Sequence, residues 1–481
     1  MNIHRKPLRL SNIMLATLGL VLSGTVWSTY AEQKNGQELS YTPHVQLGIN
    51  AVREEDLFWD LAGSFARSAN YDPNKDWLEL YVKPGIRFGQ QFTDYHMYGN
   101  VSVVASATAG TDAYETGDTG RLTLEEAYVG FKTADDTGLA WDISAGAREL
   151  KLGSGMLIAN GATSGFERGA LKLGPRKAWE RAVIIKGTVD TVSTTVFYLD
   201  PNELDSNNTD TQLAGLDIRM PFASEGSMFG FTYGHVLQSG SPYPKAAPAG
   251  IGPPSIIENG RDNLSFINHY GLTDVYTDKQ YKVFSQWDVA YQWNSDIDLD
   301  AWGGRIKLGT TLLEQPWQPT LVYSYQTFSG DDPNTDDLER FDPLYYEGSP
   351  SSWSTGSKSS MVFINSNVQS HQLTLTLKPS EKHIINLRAA HIRVNELKSP
   401  VQFGQASRLD FADGLSTVVT GVADEHLADD YFIEYTYVMS PTTFITMGLS
   451  LSEPGDGITK AVGLEGPSWS GGFVNLVMFL Q

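Results

Sequence analysis

The residues best equipped for chemistry in this chain are cations crowded into one segment. Between Arg148 and Arg181 stand Arg148, Lys151, Arg168, Lys172, Arg176, Lys177 and Arg181 against Glu149, Glu167 and Glu180, which is +4 in a chain of net charge −21. Glycines in Gly153-Ser154-Gly155 and Gly161-Ala162-Thr163-Ser164-Gly165 break the segment, so half of it cannot be a regular strand. A narrow passage of low dielectric lined by such charge attracts anions. Arginine adds a planar fork that pairs bidentately with carboxylates. A ladder of such sites holds a passing polyanion weakly at each step, as conduction requires. More cations, Lys83, Arg87, Arg305, Lys307 and Arg388, fall on the polar side of alternating segments, together with Glu79, Asp142, Asp217, Asp288 and Glu434. The expected substrate path is therefore lined by Lys83, Arg87, Arg148, Lys151, Arg168, Arg305, Lys307 and Arg388. The competing use of the same residues is an interior lattice of ion pairs that stiffens the fold.

Other chemistries find no support. The chain has no cysteine, which removes disulfides, zinc ribbons and thiol nucleophiles. Its 9 histidines are scattered without an H-x-x-x-H or H-E-x-x-H spacing, and Gly-x-Ser-x-Gly is absent. Ser329–Glu347 carries Asp331, Asp332, Asp336, Asp337, Glu339, Asp342 and Glu347, which calcium could bridge. Their spacing matches no known ligand loop, and a solvated acidic loop is expected. No catalytic residue, cofactor or metal site is expected.

The elements that must hold the cations announce themselves by period. Ile13 to about Val26 is apolar, follows Arg5, Lys6 and Arg9, and precedes the small-residue site Thr29-Tyr30-Ala31. That order is a secretory signal peptide over residues 1–31, since roughly 14 apolar residues fall short of the about 20 a helical span needs. Losing its three cations takes the charge from −21 to −24. Such acidity disfavours nucleic acid. The 54 aromatics exclude a disordered chain, and a mean hydropathy of −0.25 excludes a polytopic helical membrane protein.

Beyond residue 40 the side chains alternate in polarity. Leu78, Leu80, Val82, Ile86 and Phe88 share one face of Asp76–Gly89, with Glu79, Tyr81, Lys83 and Arg87 on the other. Val283–Trp293, Trp302–Gly309 and Thr442–Leu451 repeat the pattern. About 17 such segments are visible, with one or two more hidden in stretches that read as loops. Aliphatic residues mid-segment, aromatics near the ends and glycine with mixed charge opposite are the composition of a barrel wall in lipid. Thr133–Gly138, Val189–Thr191, Pro379–Lys382 and Ser440–Thr442 read as tight turns. Leu150–Glu180, Ser239–Asp278, Ser329–Gln369 and Glu396–Asp430 read as long loops. The expectation is an all-β, closed antiparallel transmembrane β-barrel of about 18 strands (16–18) over residues 32–481, in the bacterial outer membrane.

Several segments resemble the alginate-export family of outer-membrane barrels. They are Glu339-Arg340-Phe341-Asp342-Pro343-Leu344-Tyr345-Tyr346, Ala390-His391-Ile392-Arg393-Val394-Asn395-Glu396-Leu397 with Phe403-Gly404-Gln405, and Pro454-Gly455-Asp456 before Phe473-Val474-Asn475. Gly146-Ala147-Arg148-Glu149-Leu150-Lys151 is similar to a family segment entering the lumen, although Ala147 and Glu149 depart from it. The resemblance implies a monomeric 18-stranded barrel with an arginine-rich, loop-constricted lumen. It implies a channel for an anionic polysaccharide or its oligosaccharides, with outer-membrane lipid and periplasmic secretion or uptake proteins as partners. A general small-solute porin on the same fold is the alternative.

Overall fold

Alternation along an extended chain makes a ribbon with one face for lipid and one for water. The computed structural model describes residues 31–32, 39–61, 71–113, 118–133, 138–222, 226–348, 353–356, 363–402, 411–412, 415–416, 418–419, 421–462 and 465–481. The expected leader lies outside them except for Ala31. Within them, 18 ribbons join into one closed antiparallel wall. The first six are β1 (Leu39–Glu55), β2 (Lys75–Gln91), β3 (Tyr95–Gly110), β4 (Thr119–Thr133), β5 (Leu139–Arg148) and β6 (Trp179–Val189). There follow β7 (Val192–Asp200), β8 (Gln212–Pro221), β9 (Met228–Gln238), β10 (Ser265–Thr277), β11 (Tyr281–Asn294) and β12 (Leu299–Leu312). The ring continues through β13 (Thr320–Phe328), β14 (Val368–Ser380), β15 (His383–Val394), β16 (His426–Ser440), β17 (Thr443–Pro454) and β18 (Trp469–Leu480). Each strand pairs with its sequence neighbours, and β1 closes the ring on β18 from Val45↔Leu480 to Glu55↔Ser470. Closure leaves no strand edge to be satisfied in hydrocarbon.

The two faces separate as expected. Leu449 (66 % exposed), Val289 (55 %) and Leu308 (52 %) point outward, whereas Glu79 (0 %), Asp288 (5 %) and Lys83 (8 %) point inward. An apolar surface of this extent belongs in lipid. Connections at one end are tight: Asp190, at a φ of 52°, turns β6 into β7. Those at the other end include 149–178, 239–264, 329–367 and 395–425.

Two stretches expected as loop are partly wall, and one is Glu396–Asp430, whose last five residues belong to β16. In the other, β10 occupies the second half of Ser239–Asp278. Its outward positions include His269 and Gly271, which interrupt the apolar period. Aromatic neighbours restore the cover. Phe231 stacks on His269 at 4.4 Å, Trp287 Nε1 donates to His269 Nε2 at 3.0 Å, and the Trp287 ring overlies Gly271, where a Cβ would lie 2.3 Å from it.

The long loops do not all stand in water. Leu150, Met156, Leu157 and Leu171 from 149–178 pack with Leu338, Phe341, Leu344 and Trp353 from 329–367 and with wall residues such as Phe266 and Phe328. The barrel therefore holds an apolar core inside its own lumen.

Candidate transport path

The basic loop 149–178 is held by three wall carboxylates. Glu79 on β2 accepts the backbone N–H groups of Lys172 (2.9 Å) and Leu173 (2.9 Å). Glu125 on β4 accepts those of Lys177 (2.9 Å) and Ala178 (3.2 Å). Glu54 on β1 meets Lys172 Nζ at 2.7 Å. Arg176 donates to Thr123 Oγ1 (2.7 Å) and Ser106 Oγ (2.8 Å), and burial beside Arg168 pulls it down to about 10. The loop enters the lumen, where Glu54 pairs with Lys172 and Glu79 and Glu125 hold its backbone.

A second loop locks onto the first. Tyr345 N–H donates to Leu157 O (2.9 Å), Ala159 N–H to Tyr345 O (2.9 Å) and Glu347 N–H to Gly155 O (2.8 Å), a short zipper between 149–178 and 329–367. Trp353 Nε1 donates to Ser154 Oγ at 3.0 Å, and its ring lies 3.6 Å from the Arg305 guanidinium on β12. Loop 239–264 joins through Arg261, whose fork meets both Asp342 oxygens at 2.8 and 3.1 Å. Burial opposes that charge, yet Asp342 raises Arg261 above its ordinary value. The acidic loop is therefore not simply solvated. Asp342 is 4 % exposed, and Asp331, 1 % exposed, accepts backbone N–H groups from Ala246 and Glu339.

Toward the tight-turn end the lumen opens, and its cations are of another kind. Arg87 and Lys132 are exposed, while Arg148, Lys186 and Arg219 are half-buried. Arg148 donates to Tyr98 Oη at 2.9 Å and to Ser144 Oγ, and Tyr98 Oη in turn donates to Asp142. Its guanidinium also lies 4.6 Å from the Tyr128 ring centre. Arg219 repeats the pattern: its Nε donates to Tyr270 Oη at 3.4 Å, and Tyr270 Oη donates to Asp217 at 2.8 Å. In both triplets a tyrosine hydroxyl links arginine to aspartate. The direct contact is absent in the first and 4.0 Å in the second. Lys132, Asp142, Lys186, Thr188 and Ser193 line a cavity of about 590 Å³ here.

Residues 278–469 match the family model for alginate export. Among solved structures, the chain is similar to the Pseudomonas aeruginosa porin OccK5 (TM-score 0.53, 9 % identity, covering 91 % of this chain and 98 % of that one). It is also similar to a BenF-like porin from Pseudomonas fluorescens Pf-5 (TM-score 0.51, 8 % identity, 92 % and 98 % covered). A third is Pseudomonas aeruginosa OccK2, solved in complex with glucuronate (TM-score 0.50, 10 % identity, 92 % and 96 % covered). This chain is an outer-membrane β-barrel. No curated protein matches it in sequence. The match takes in Glu339–Tyr346, Ala390–Leu397, Phe403–Gln405 and Pro454–Asp456 of this outer-membrane barrel, whereas Gly146–Lys151 and Phe473–Asn475 lie outside it.

The barrel distributes the eight expected path residues unevenly. Arg87 is exposed and lines a lumenal cavity with Lys83 and Tyr128, whereas Arg148 is half-buried between Tyr98 and Tyr128. Lys83 bridges Glu125 and Glu149 at 3.2 Å each, and Lys151 pairs with Glu347. Arg168, 4 % exposed, docks on the connection 201–211 between β7 and β8, where it donates to Asn202 O (2.9 Å), Asn202 Oδ1 (2.7 Å) and Glu203 O (3.0 Å). Arg305 is buried opposite Asp288 under Trp353, with half-buried Lys307 two residues on. Arg388 lies 3.7 Å from Asp430 and donates to Gly356 O. Sequence reasoning overlooked Lys132, Lys186 and Arg219, although alternation places each on the polar face.

Proposed function

We propose that this barrel conducts anionic saccharides, alginate-like polymers or their oligosaccharides, past the two Arg–Tyr–Asp triplets. The carrying observation is the incomplete neutralisation of Arg148 and Arg219: a tyrosine separates or shares each guanidinium with its aspartate and leaves fork edges toward the lumen. A carboxylate sugar fits both parts, since its anion pairs with the fork and its ring stacks on tyrosine. The glucuronate complex of OccK2 and the alginate-export match support the same cargo class. In this reading the leader 1–31 is removed, residues 32–481 work as a monomer in outer-membrane lipid, and periplasmic secretion or uptake proteins hand over the cargo. The barrel itself performs no catalysis. Bilayer reversal potentials under a salt gradient test the reading, with block by acidic oligosaccharides as the second readout. Anion preference with block stronger for acidic than for neutral oligomers is expected, and cation preference overturns it.

One observation favours the general small-solute porin. Loops 149–178 and 329–367 build an apolar core inside the barrel, which takes up part of the lumen. Liposome swelling that admits neutral disaccharides as fast as acidic ones would select that alternative.

A further inference from the structure

We propose that His391, His426 and Asp429 form a binding site for a divalent, imidazole-preferring cation such as Zn2+ on the outer wall, near the long-loop rim. The ligand atoms of the three residues all lie within 4.8 Å of one another. His391 Nδ1 is 2.7 Å from Asp429 Oδ1, and His426 Nε2 is 3.2 Å from Asp429 Oδ2. The two imidazoles stack with centres 4.6 Å apart, so both address the same carboxylate.

The wall is shaped to make this meeting. His391 on β15 stands directly opposite Asp429 on β16. Regular alternation would send His426, three residues before Asp429, to the lumen. A register shift between Ile392 and Arg393 inserts one extra residue on β16, and Leu427 and Ala428 are both fully buried. That bulge returns His426 to the outer face, the re-aiming that bulges perform. Gly455 then fixes the ring: a Cβ there would lie 2.6 Å from His426 Cγ and Nδ1. The imidazole therefore packs against Gly455 while its Nε2 approaches Asp429 Oδ2.

A plain hydrogen-bonded triad accounts for only half of this. His391 makes its bond to Asp429, but His426 Nε2 is shielded from solvent and makes no hydrogen bond among the described residues, despite the 3.2 Å approach. A buried ring nitrogen beside a carboxylate that a second imidazole also addresses is a donor set suited to a metal ion. Calcium and magnesium prefer all-oxygen shells, whereas two imidazoles and one carboxylate suit zinc, copper or nickel. Three protein ligands leave a fourth position for water. The histidines bind as neutral donors, and any proton held between His391 and Asp429 leaves to water.

The test is zinc titration of the full-length barrel, stripped with chelator and folded in detergent, followed by calorimetry and metal analysis. One Zn2+ per chain is expected. His391→Gln, His426→Gln and Asp429→Asn should each weaken it by at least about tenfold, while His371→Gln leaves it unchanged. Equal zinc binding in all four variants overturns the site, as does no binding by wild type. Wild-type protein alone gives an independent readout: zinc should protect two histidines from diethylpyrocarbonate, and protection of none overturns the proposal whether or not the variants fold.

Discussion

Arg148 and Asp142 share a strand and a face, yet they meet only through the hydroxyl of Tyr98. An aspartate in direct contact would fill the guanidinium fork, whereas a tyrosine occupies one N–H and supplies a ring. A bulge between Gly146 and Arg148 in the pairing with β6 sets this geometry. It depends on Gly146, whose φ is 125° and where a Cβ would lie 2.2 Å from Ala127 O. Arg148 is thereby anchored by neutral groups and keeps its charge for the lumen.

Arg148→Ala should lower anion selectivity and weaken block by acidic oligosaccharide by about tenfold, the scale of one charge-assisted hydrogen bond. Arg148→Lys should restore the selectivity and only part of the block, because it keeps the charge and loses the fork. Reversal potential, block and thermal unfolding measured on the same three proteins decide it. Unchanged selectivity with lowered stability would make Arg148 a wall anchor.

Trp353 holds two loops and the wall together through Ser154 and Arg305. A desolvated cation–π contact of this kind contributes roughly 2 kcal/mol. Trp353→Ala should loosen the zipper between loops 149–178 and 329–367 and raise single-channel conductance, with added current noise. Unaltered conductance would mean that the two loops do not bound the narrowest part of the lumen.

The wall was largely legible in the sequence because lipid imposes a period that β2, β11, β12 and β17 obey. β10 was not, since Phe231 and Trp287 supply from neighbouring strands the apolar cover that His269 and Gly271 lack. The basic loop was visible as charge, but its counter-charges were not. Glu54 lies 118 residues from Lys172, and Glu79 lies 93 away, so only the closed ring brings them together. The tyrosines that set Arg148 and Arg219 apart from Lys83 and Arg168 lie 50 and 51 residues away. The histidine–aspartate cluster was hidden twice, by an offset of 35 positions between its two histidines along the chain and by a bulge that reverses the expected face of His426.

Glycine freedom offers a check on the cluster's geometry that needs no change to a ligand. Gly455→Ala would place a methyl group against the His426 ring. The same methyl would lie 2.4 Å from His426 O, so backbone and ring must both shift, and zinc affinity should fall by about tenfold, as for other residues that orient a ligand. Gly472→Ala, on the neighbouring strand and touching only Leu449 and a backbone oxygen, should leave zinc binding unchanged. Equal affinity in both variants would show that the ring orientation is not set by Gly455.

Lys172 and Glu54 make the clearest test of the clamp. Their side chains are 4 % and 0 % exposed, and the second Glu54 oxygen accepts from Trp469 Nε1 at 2.8 Å. Desolvation makes such a pair costly to form and costlier to halve. Lys172→Met should leave a buried carboxylate without its counter-charge and destabilise the barrel by about 3–5 kcal/mol. The loss appears as a lower temperature for the heat-induced gel shift from folded to unfolded barrel. Adding Glu54→Gln removes the orphaned charge, keeps an acceptor for Trp469, and should recover most of the loss. Selectivity should follow the same order if loop 149–178 shapes the path, because its Lys172 turn is tied to β1 and β2 through these groups. A single variant as stable as wild type would mean that Glu54 is satisfied without Lys172 and that the loop is held mainly by the backbone bonds to Glu79 and Glu125.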